Sequence, residues 1–414
     1  MYDHAGTEIA RSEPRGGCGP VAPAGGRAAV PLRQQVFEHV RAHGRASRAE
    51  VARALGISAA SMTALSADLI ALGFLREVDD PGPREAARGR PPVAIEIVPD
   101  GRRVIGIKVS DERHSAVLAD FGGRTLGETT RETPSARRSL HEAVDEVEAL
   151  VDALGRDRVA AVGIGMSGLV DHEAGRVAWS PLLDGTSIPL KAACEERLGL
   201  PVHVDNDANV LTLAELWFGS GRARSDFAVV TIEHGVGMGL VQGGRLFRGG
   251  RGMGLELGHM KVRLDGALCR CGQRGCLEAY LADYALAREA ATALGRTTRD
   301  LQRPQALLEA LFAEAKGGHE VARAIFARAG RYLAVGLANV QQLFDPDLVI
   351  LSGERMRYDF LYAEEVMAET RELTLLKGRT PARVEVHAWG DLVWAQGAVA
   401  LALGAVTDAA LGAG

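Results

Sequence analysis

The sequence predicts an α/β protein with a helix-turn-helix and a β wing at its N-terminus, followed by a two-lobed domain of alternating strands and helices. Three observations carry this. Between Pro31 and Gly73, three helix-like segments are punctuated by Gly44, Gly56 and Gly73. From Arg103 the texture changes to RVIGIKVS, HSAVLADF and RTLGETTRE, a helix and a buried strand, and paired strands recur at DFAVVTIEHGVGMGLVQGGRLFRG and DLVILSGE. Within the second half, ELGHMKVRLDGALCRCGQRGCLE (Glu256 to Glu278) gathers Cys269, Cys271 and Cys276 just downstream of His259.

A chain of 414 residues has room for two or three domains and a well-buried core. Its 47% hydrophobic and 24% charged residues are ordinary for a folded protein in water. A net charge of −5 makes no case for non-specific nucleic-acid binding by the whole chain, so any such contact must be local. No run of about 20 apolar residues is evident, so no membrane association is expected. The acidic start is unlike a secretory signal, and cysteines grouped as metal ligands suit a reducing cytoplasm.

Residues 1–29, rich in Gly, Pro and Ala and without periodicity, are expected to form a disordered tail in which Cys18 has no role. Residues 30–98 form the helix-turn-helix domain. Leu32, Val36, Phe37 and Val40 share one helical face. Ser47 caps a second helix, with Glu50 at the capping-box position, and Ser58 caps a third. FLREVDD and VAIEIV then form a two-stranded wing, with Arg84, Arg88 and Arg90 near its tip. Between Arg27 and Arg90, ten arginines face seven acids, a local surplus of +3. A winged helix touches DNA in this manner. Ser58 and the early third-helix residues Ala59, Ala60, Ser61 and Thr63 would face the major groove, and Arg88 and Arg90 would enter the minor groove.

Residues 101–414 form the second domain, with lobes over roughly 101–207 plus the C-terminal helix, and 208–394. Three strands, a helix over Ser139–Leu154 and a further strand, VAAVGIGMSGLVD, resemble the start of a ribonuclease-H-like core of the actin and sugar-kinase type. Two such lobes leave a cleft for a small ligand. In PVHVDNDANVLTLAELWFG a strand runs straight into a helix, which places Asn206, Asp207 and Asn209 at a strand end. One of them suffices as a cap, and the surplus invites a ligand. Leu301–Gly318 and Glu320–Phe344 read as helices, and DLVWAQGAVALALGAV as a final apolar helix packed into the core.

Cys269, Cys271, Cys276 and His259 offer the thiolate and imidazole donors that Zn²⁺ prefers. Gly272 and Gly275 let the loop between them fold back. Four protein ligands leave no open position for water, so the metal is expected to be structural. Glu256 and Glu278 bracket the cluster.

Taken together, the winged helix-turn-helix with its GRPP wing, GIGMSGLVD, DNDANVLTLAE, EHGVGMG, ELGHM and CRCGQRGCLE, in this order over Pro31–Gly404, resemble the ROK family of bacterial sugar kinases and sugar-responsive repressors. The resemblance implies a two-lobed domain of the actin and hexokinase type. It implies sugar contacts from Gly165, Asn206, Asp207, Glu256, His259 and Glu278, and zinc ligands His259, Cys269, Cys271 and Cys276. In the kinases of the family Asp207 would be the base, and the first lobe opens with Asp-x-Gly-Gly-Thr, a turn that cradles ATP phosphates. Here that turn reads Lys108-Val109-Ser110-Asp111-Glu112, and a second phosphate turn, Gly-Thr-Gly, reads Glu233-His234-Gly235. Like charges 4 Å apart cost about 4 kcal/mol at an effective dielectric of 20, so carboxylates at these turns oppose a triphosphate. The expectation is a non-catalytic kinase homologue: a homodimeric or homotetrameric regulator that binds operator DNA and a sugar or sugar-phosphate effector. A protein partner in place of the sugar, or an ATP-dependent sugar kinase with atypical phosphate loops, are the alternatives. Leu182 stands where the family has an asparagine, and Ser167 and Leu169 stand where it has prolines, which leaves the effector's identity open.

Overall fold

A computed structural model describes residues 16–21, 30–79, 93–133, 137–295, 304–353, 356, 358, 359, 364–387, 390 and 392–412. Three helices open it. α1 (Leu32–His43) buries Val36, Phe37 and Val40 and ends at Gly44 with φ +77°. After β1 (Arg45–Ser47), Ser47 and Glu50 close a capping box on α2 (Arg48–Leu55), and Ser58 caps α3 (Ala59–Ala71). β2 (Leu75–Asp79) and β3 (Val93–Ile97) follow. The expected two-stranded ribbon is three-stranded, in the order β1-β3-β2. A three-residue strand has no legible periodicity, and β1 is fixed by pairing Arg45–Ser47 with Ala94–Glu96. The stretch expected to form the tip, with Arg84, Arg88 and Arg90, lies outside the described residues.

The chain continues with β4 (Arg103–Val109), β5 (Arg113–Asp120), β6 (Thr125–Glu132), α4 (Leu140–Leu154), β7 (Val159–Met166), β8 (Leu169–Asp171), β9 (Arg176–Trp179), α5 (Leu190–Leu198), β10 (Val202–Asn206) and α6 (Asp207–Phe218). The second half holds β11 (Phe227–Ile232), β12 (Val236–Gln242), β13 (Arg245–Phe247), α7 (Glu278–Leu281), α8 (Asp283–Ala293), α9 (Pro304–Lys316), α10 (Glu320–Phe344), β14 (Leu348–Ser352), α11 (Glu364–Leu373) and β15 (Arg383–His387). α12 (Leu392–Leu411) ends the described chain.

Two five-stranded sheets repeat one topology, β6-β5-β4-β7-β10 and β13-β12-β11-β14-β15, in which three consecutive strands are extended by two that arrive later. β4, β7 and β10 run parallel, as do β11, β14 and β15. The chain divides into two compact units. One comprises Asp226–Leu240 with Phe247–Gly390, and the other takes in the chain up to Ser225, Val241–Leu246 and Asp391 onward. The expected lobe boundary at 207/208 therefore moves, because α6 packs against α12 and belongs to the first lobe. The three-helix module falls in the same unit.

In that unit α12 lies directly on the sheet backbone. A Cβ on Gly106 of β4 would sit 2.1 Å from Ala395 O, and one on Gly163 of β7 2.1 Å from Ala398 O. The neighbouring residues Ile105, Ile107, Val162 and Ile164 point to the other face, into a core shared with α4 and α5. Leu392–Leu411 is long and apolar enough to cross a membrane, a run that was not expected, but most of its apolar side chains are buried in this packing. In the other unit, alternate residues of β11 and β14 join α7–α10 in a second core.

The stretch expected to lack order departs from that expectation at residues 16–21, which cross from α1 to the end of α6. Gly19 N–H donates to Trp217 O at 3.0 Å and Val21 N–H to Arg222 O at 2.8 Å, while Arg222 donates to Gly19 O and to Ala42 O. A Cβ on Gly17 would lie 1.6 Å from Arg41 O, so only glycine passes there. Cys18 is buried beside Gly123 rather than idle in a tail. Arg41 of α1, 2% exposed, centres the junction. Its guanidinium lies 4.4 Å from the Trp217 ring and 5.1 Å from Phe37, and donates to Thr407 Oγ1 of α12 at 2.9 Å. Gln34 adds a bond to Asp408 at 2.6 Å. The arginine packs as much as it pairs. Arg41→Ala should cost on the order of 2–3 kcal/mol in urea unfolding and raise amide exchange at Gly19 and Val21. Wild-type stability and exchange would show that the junction does not depend on this side chain.

Candidate functional site

In the unit around β11, the loop from Glu256 to α7 folds back through bridges between Lys261 and Cys276 and between Leu268 and Arg274. Gly272 and Gly275 take φ of +85° and +76°, and a Cβ on Gly275 would meet Arg263 O at 1.6 Å. This fold brings one donor atom from each of His259, Cys269, Cys271 and Cys276 within 4.8 Å of the others. His259 Nδ1 lies 3.7 Å from Cys269 Sγ, and Cys271 Sγ lies 3.7 Å from Cys276 Sγ. A tetrahedron with metal–sulfur bonds of about 2.3 Å and metal–nitrogen bonds of about 2.0 Å has edges of about 3.6–3.8 Å, so the four donors fit a metal ion. The other ring nitrogen of His259 faces Glu256 Oε2 at 4.0 Å, near but beyond hydrogen-bond distance. Lys261 Nζ donates to Cys276 Sγ at 2.9 Å and offsets thiolate charge from outside.

Glu278 begins α7 and is buried. Its Oε2 accepts from Val236 N–H at 3.3 Å, and its Oε1 lies 3.4 Å from both Cys269 Sγ and Tyr284 OH. Burial pushes the Tyr284 hydroxyl and the Cys269 thiol up, with Glu278 adding to both. The carboxylate thus joins the metal-ligand loop to the start of β12. A Cβ on Gly235 would lie 2.9 Å from Glu278 Oε2, so the Glu233-His234-Gly235 turn closes over it. Within that turn His234 Nδ1 is 3.1 Å from Asp283 Oδ2.

In the other unit, β7 and β10 are neighbours with Met166 opposite Asn206. The residues that follow, Ser167 and Asp207, therefore emerge side by side at the C-terminal ends of parallel strands, where open α/β sheets present ligand groups. Asn206 caps α6: its Oδ1 accepts from Ala208 N–H at 2.8 Å and its Nδ2 donates to Gly168 O at 2.8 Å. Asn209 is buried and donates to Asp205 Oδ1 at 2.8 Å. Asp207 is half-buried, with Oδ2 accepting from Ser167 Oγ at 2.5 Å and Oδ1 from Ala208 N–H at 2.9 Å. Gly165 is buried, and a Cβ there would lie 2.5 Å from Val210 Cγ2, so the packing of α6 alone demands glycine. Leu182 turns into the core. Of the six expected ligand contacts, Gly165, Asn206 and Asp207 gather here, and Glu256, His259 and Glu278 gather in the unit described above.

The β4–β5 turn, Ser110-Asp111-Glu112, is held by a network that sequence reading missed because its members are spread over 37 positions from Ser110 to Glu146. Ser110 N–H donates to His114 Nδ1 at 3.1 Å, His114 Nε2 bonds Glu146 Oε2 at 2.8 Å, and Arg138 reaches Glu146 at 2.8 Å, Ser110 O at 3.1 Å and Thr133 Oγ1 at 2.6 Å. Ser110 Oγ also donates to Arg113 O. Lys108, at the end of β4, sits 3.7 Å from the Trp394 ring of α12. The fully buried His114 is pushed down by desolvation, against the pull of Glu146 and with help from Arg138 and Arg131. Glu146 is also partly desolvated, which pushes it up, but His114 and Arg138 outweigh this and hold it down.

On the three-helix module, Ser58, Ala59, Ala60, Ser61 and Thr63 are all exposed at the start of α3. Thr63 Oγ1 bonds back to Ala59 O at 2.8 Å, and Ser58 and Ser61 hydroxyls share a bond of 2.9 Å.

Because folding depresses the His114 proton affinity below its ordinary 6.5, the unfolded imidazole takes up a proton that the folded one refuses. Stability should be fully present above pH 6.5 and fall as pH drops below it, by at most about 1.4 kcal/mol per pH unit from this group. His114→Asn should fall less steeply in thermal unfolding across that window. Parallel curves would remove His114 from the account.

A family profile described as "ROK family" matches residues 104–405. The chain is 28% identical over 378 residues to the "Putative xylose repressor" of Caldicellulosiruptor sp. (strain Rt8B.4), covering 89% of this chain and 94% of that one. Among solved structures it resembles a ROK family transcriptional regulator, a homologue of the Escherichia coli Mlc protein, at a TM-score of 0.76 and 25% identity, over 92% of this chain and 97% of that one. It also resembles a ROK family glucokinase from Streptomyces griseus, in complex with glucose and AMPPNP, at 0.63 and 31% identity, over 72% of this chain and 98% of that one.

Proposed function

We propose, from the premise that this chain belongs to the ROK family, that it is a sugar-responsive DNA-binding transcriptional regulator, a repressor of a carbohydrate uptake or catabolism operon, and not a kinase. The observation that carries this reading is the module of three helices and three strands that precedes the family-shared region, which begins at residue 104. It presents the capped N-terminal end of α3 fully exposed, with small and hydroxyl side chains that allow close approach to a DNA groove. We read it as a winged helix-turn-helix that contacts DNA through Ser58, Ala59, Ala60, Ser61, Thr63, Arg88 and Arg90. A homodimer or homotetramer would set two such heads on a two-fold-related operator in the cytoplasm.

The likeness to a glucokinase makes kinase turnover the second reading. Against it stands the β4–β5 turn, where a hydrogen-bonded network of the buried His114 and Arg138 with Glu146 fixes the backbone in front of Asp111 and Glu112. A turn locked in this way and carrying two carboxylates is a poor cradle for phosphates. Asp207, the counterpart of a kinase base, then serves as an acceptor for a sugar hydroxyl, together with Gly165, Asn206, Glu256, His259 and Glu278.

His259, Cys269, Cys271 and Cys276 would hold a structural Zn²⁺. Its chemistry when bound is that of a closed, redox-inert staple. The protein's own contribution is Glu278, which joins this loop to the β11–β12 turn, and Lys261, which donates to Cys276 Sγ.

The deciding experiment selects DNA from a random duplex pool with the full chain, then titrates the selected site with a hexose and pentose panel while following ATP consumption. Specific binding that a sugar changes, without turnover, is expected. Arg90→Ala should weaken binding and flatten its salt slope by about one unit. Robust sugar phosphorylation would overturn the reading, and operator binding untouched by any sugar would favour a protein effector instead. For the metal, purified protein should carry about one zinc per chain by elemental mass spectrometry. Cys276→Ser should lose it and unfold the unit around β11 at lower temperature. Full stability after metal removal would rule out a structural role.

A further inference from the structure

The loop after β7 holds a device for aiming one carboxylate. Met166 and Asn206 are paired across the β7–β10 ladder, so Ser167 and Asp207 leave adjacent parallel strands at the same level. Ser167 Oγ donates to Asp207 Oδ2 at 2.5 Å, and the first turn of α6 donates through Ala208 N–H to Oδ1 at 2.9 Å. Each carboxylate oxygen thus has one position taken by the protein, and the plane of the group is set by two donors from different elements.

Ser167 is itself held on both sides. Its carbonyl accepts from the buried Ser180 Oγ at 2.7 Å, and the same hydroxyl accepts from Leu182 N–H at 3.0 Å. The next carbonyl, of Gly168, accepts from Asn206 Nδ2 at 2.8 Å. Gly168 takes φ +132°, and a Cβ there would lie 2.3 Å from Trp179 O, so the loop is pressed against the segment that follows β9. Pinning the Ser167 carbonyl fixes the backbone from which its hydroxyl reaches Asp207. The carboxylate remains half-buried, with its remaining acceptor positions open.

We infer that Ser167 is the positioning residue of this ligand site: it fixes the direction in which Asp207 accepts a hydroxyl, and so favours a sugar bearing an equatorial or axial hydroxyl in that one direction over its epimer. The inference rests on the proposed sugar site. A charge-assisted hydrogen bond that costs no reorganisation on binding contributes affinity and discriminates between epimers. A side chain free to rotate would accept either epimer with less loss.

The test uses the full chain and isothermal titration with a panel of sugars, their epimers and deoxy analogues, against wild type, Asp207→Ala, Ser167→Ala and Ser167→Thr. Ser167→Ala should weaken the best sugar about tenfold and narrow the gap to its epimer. Ser167→Thr, which keeps the hydroxyl, should stay within about twofold of wild type in both. The deoxy analogue lacking the hydroxyl that Asp207 reads should bind wild type and Ser167→Ala equally, an outcome that a general loosening of the loop would not give. Loss of binding in Asp207→Ala with unchanged affinity and epimer ratio in Ser167→Ala overturns this inference alone. No sugar binding by wild type, or binding indifferent to Asp207→Ala, overturns the sugar site and this inference together.

Discussion

The first unit depends on a helix that comes last in the chain. α12 can reach the sheet only because Gly106 and Gly163 carry no side chain under it, and it can reach α6 only because Gly397 lies 1.7 Å, measured to a hypothetical Cβ, from Val210 O. Three glycines on three elements let backbones approach where side chains normally keep them apart. Close packing of this kind tolerates no added methyl, since the obstacle is carbonyl oxygen rather than a movable side chain. The same helix continues past the sheet and offers Thr407 and Asp408 to Arg41 and Gln34 of α1. Residues 366 and 374 positions apart are therefore joined by hydrogen bonds.

Carboxylates in both units are fixed by what surrounds them rather than left to solvent. Glu278 is held between a backbone N–H, a thiol and a phenol; Glu146 between an imidazole and a guanidinium; Asp207 between a hydroxyl and a helix N-terminus. Only Asp207 among these keeps open acceptor positions at a strand end. Glu146 is held by the buried His114 and Arg138 and serves the β4–β5 turn. Burial and partner count thus leave Asp207 the most open of the three, although all are the same chemistry in sequence.

Much of this was legible beforehand, for physical reasons. The capping box on α2, the helix α4, the meander, the metal-ligand loop and the junction of β10 with α6 rest on local rules of period 2, period 3.6 and turn chemistry. What escaped has a tertiary cause. Residues 16–21 have the composition of a tail and are ordered only because Trp217, Arg222 and Arg41 receive them. β1 is three residues long, so it shows no pattern of its own. Gly165 drew attention as a ligand neighbour, but Val210 alone is enough to require it. Ser167 was noticed only as a departure from proline, and its bond to Asp207 becomes visible once Met166 and Asn206 are known to be paired.

The element that joins these features is α6. Its first residue is Asp207, and its last turn carries Trp217, whose ring and carbonyl receive Arg41 and the 16–21 strap. Twelve residues at 1.5 Å each make a rod of about 18 Å, buried along almost its entire length. A buried helix in a close-packed layer moves as a body or not at all, because bending it would break ladder bonds that nothing else satisfies. α6 thus runs unbroken from Asp207 to the last turn at Trp217, where α1, the strap and α12 meet. Arg41 lies at that meeting point: burial works against its charge, and it packs on the Trp217 and Phe37 rings while donating to Thr407 Oγ1.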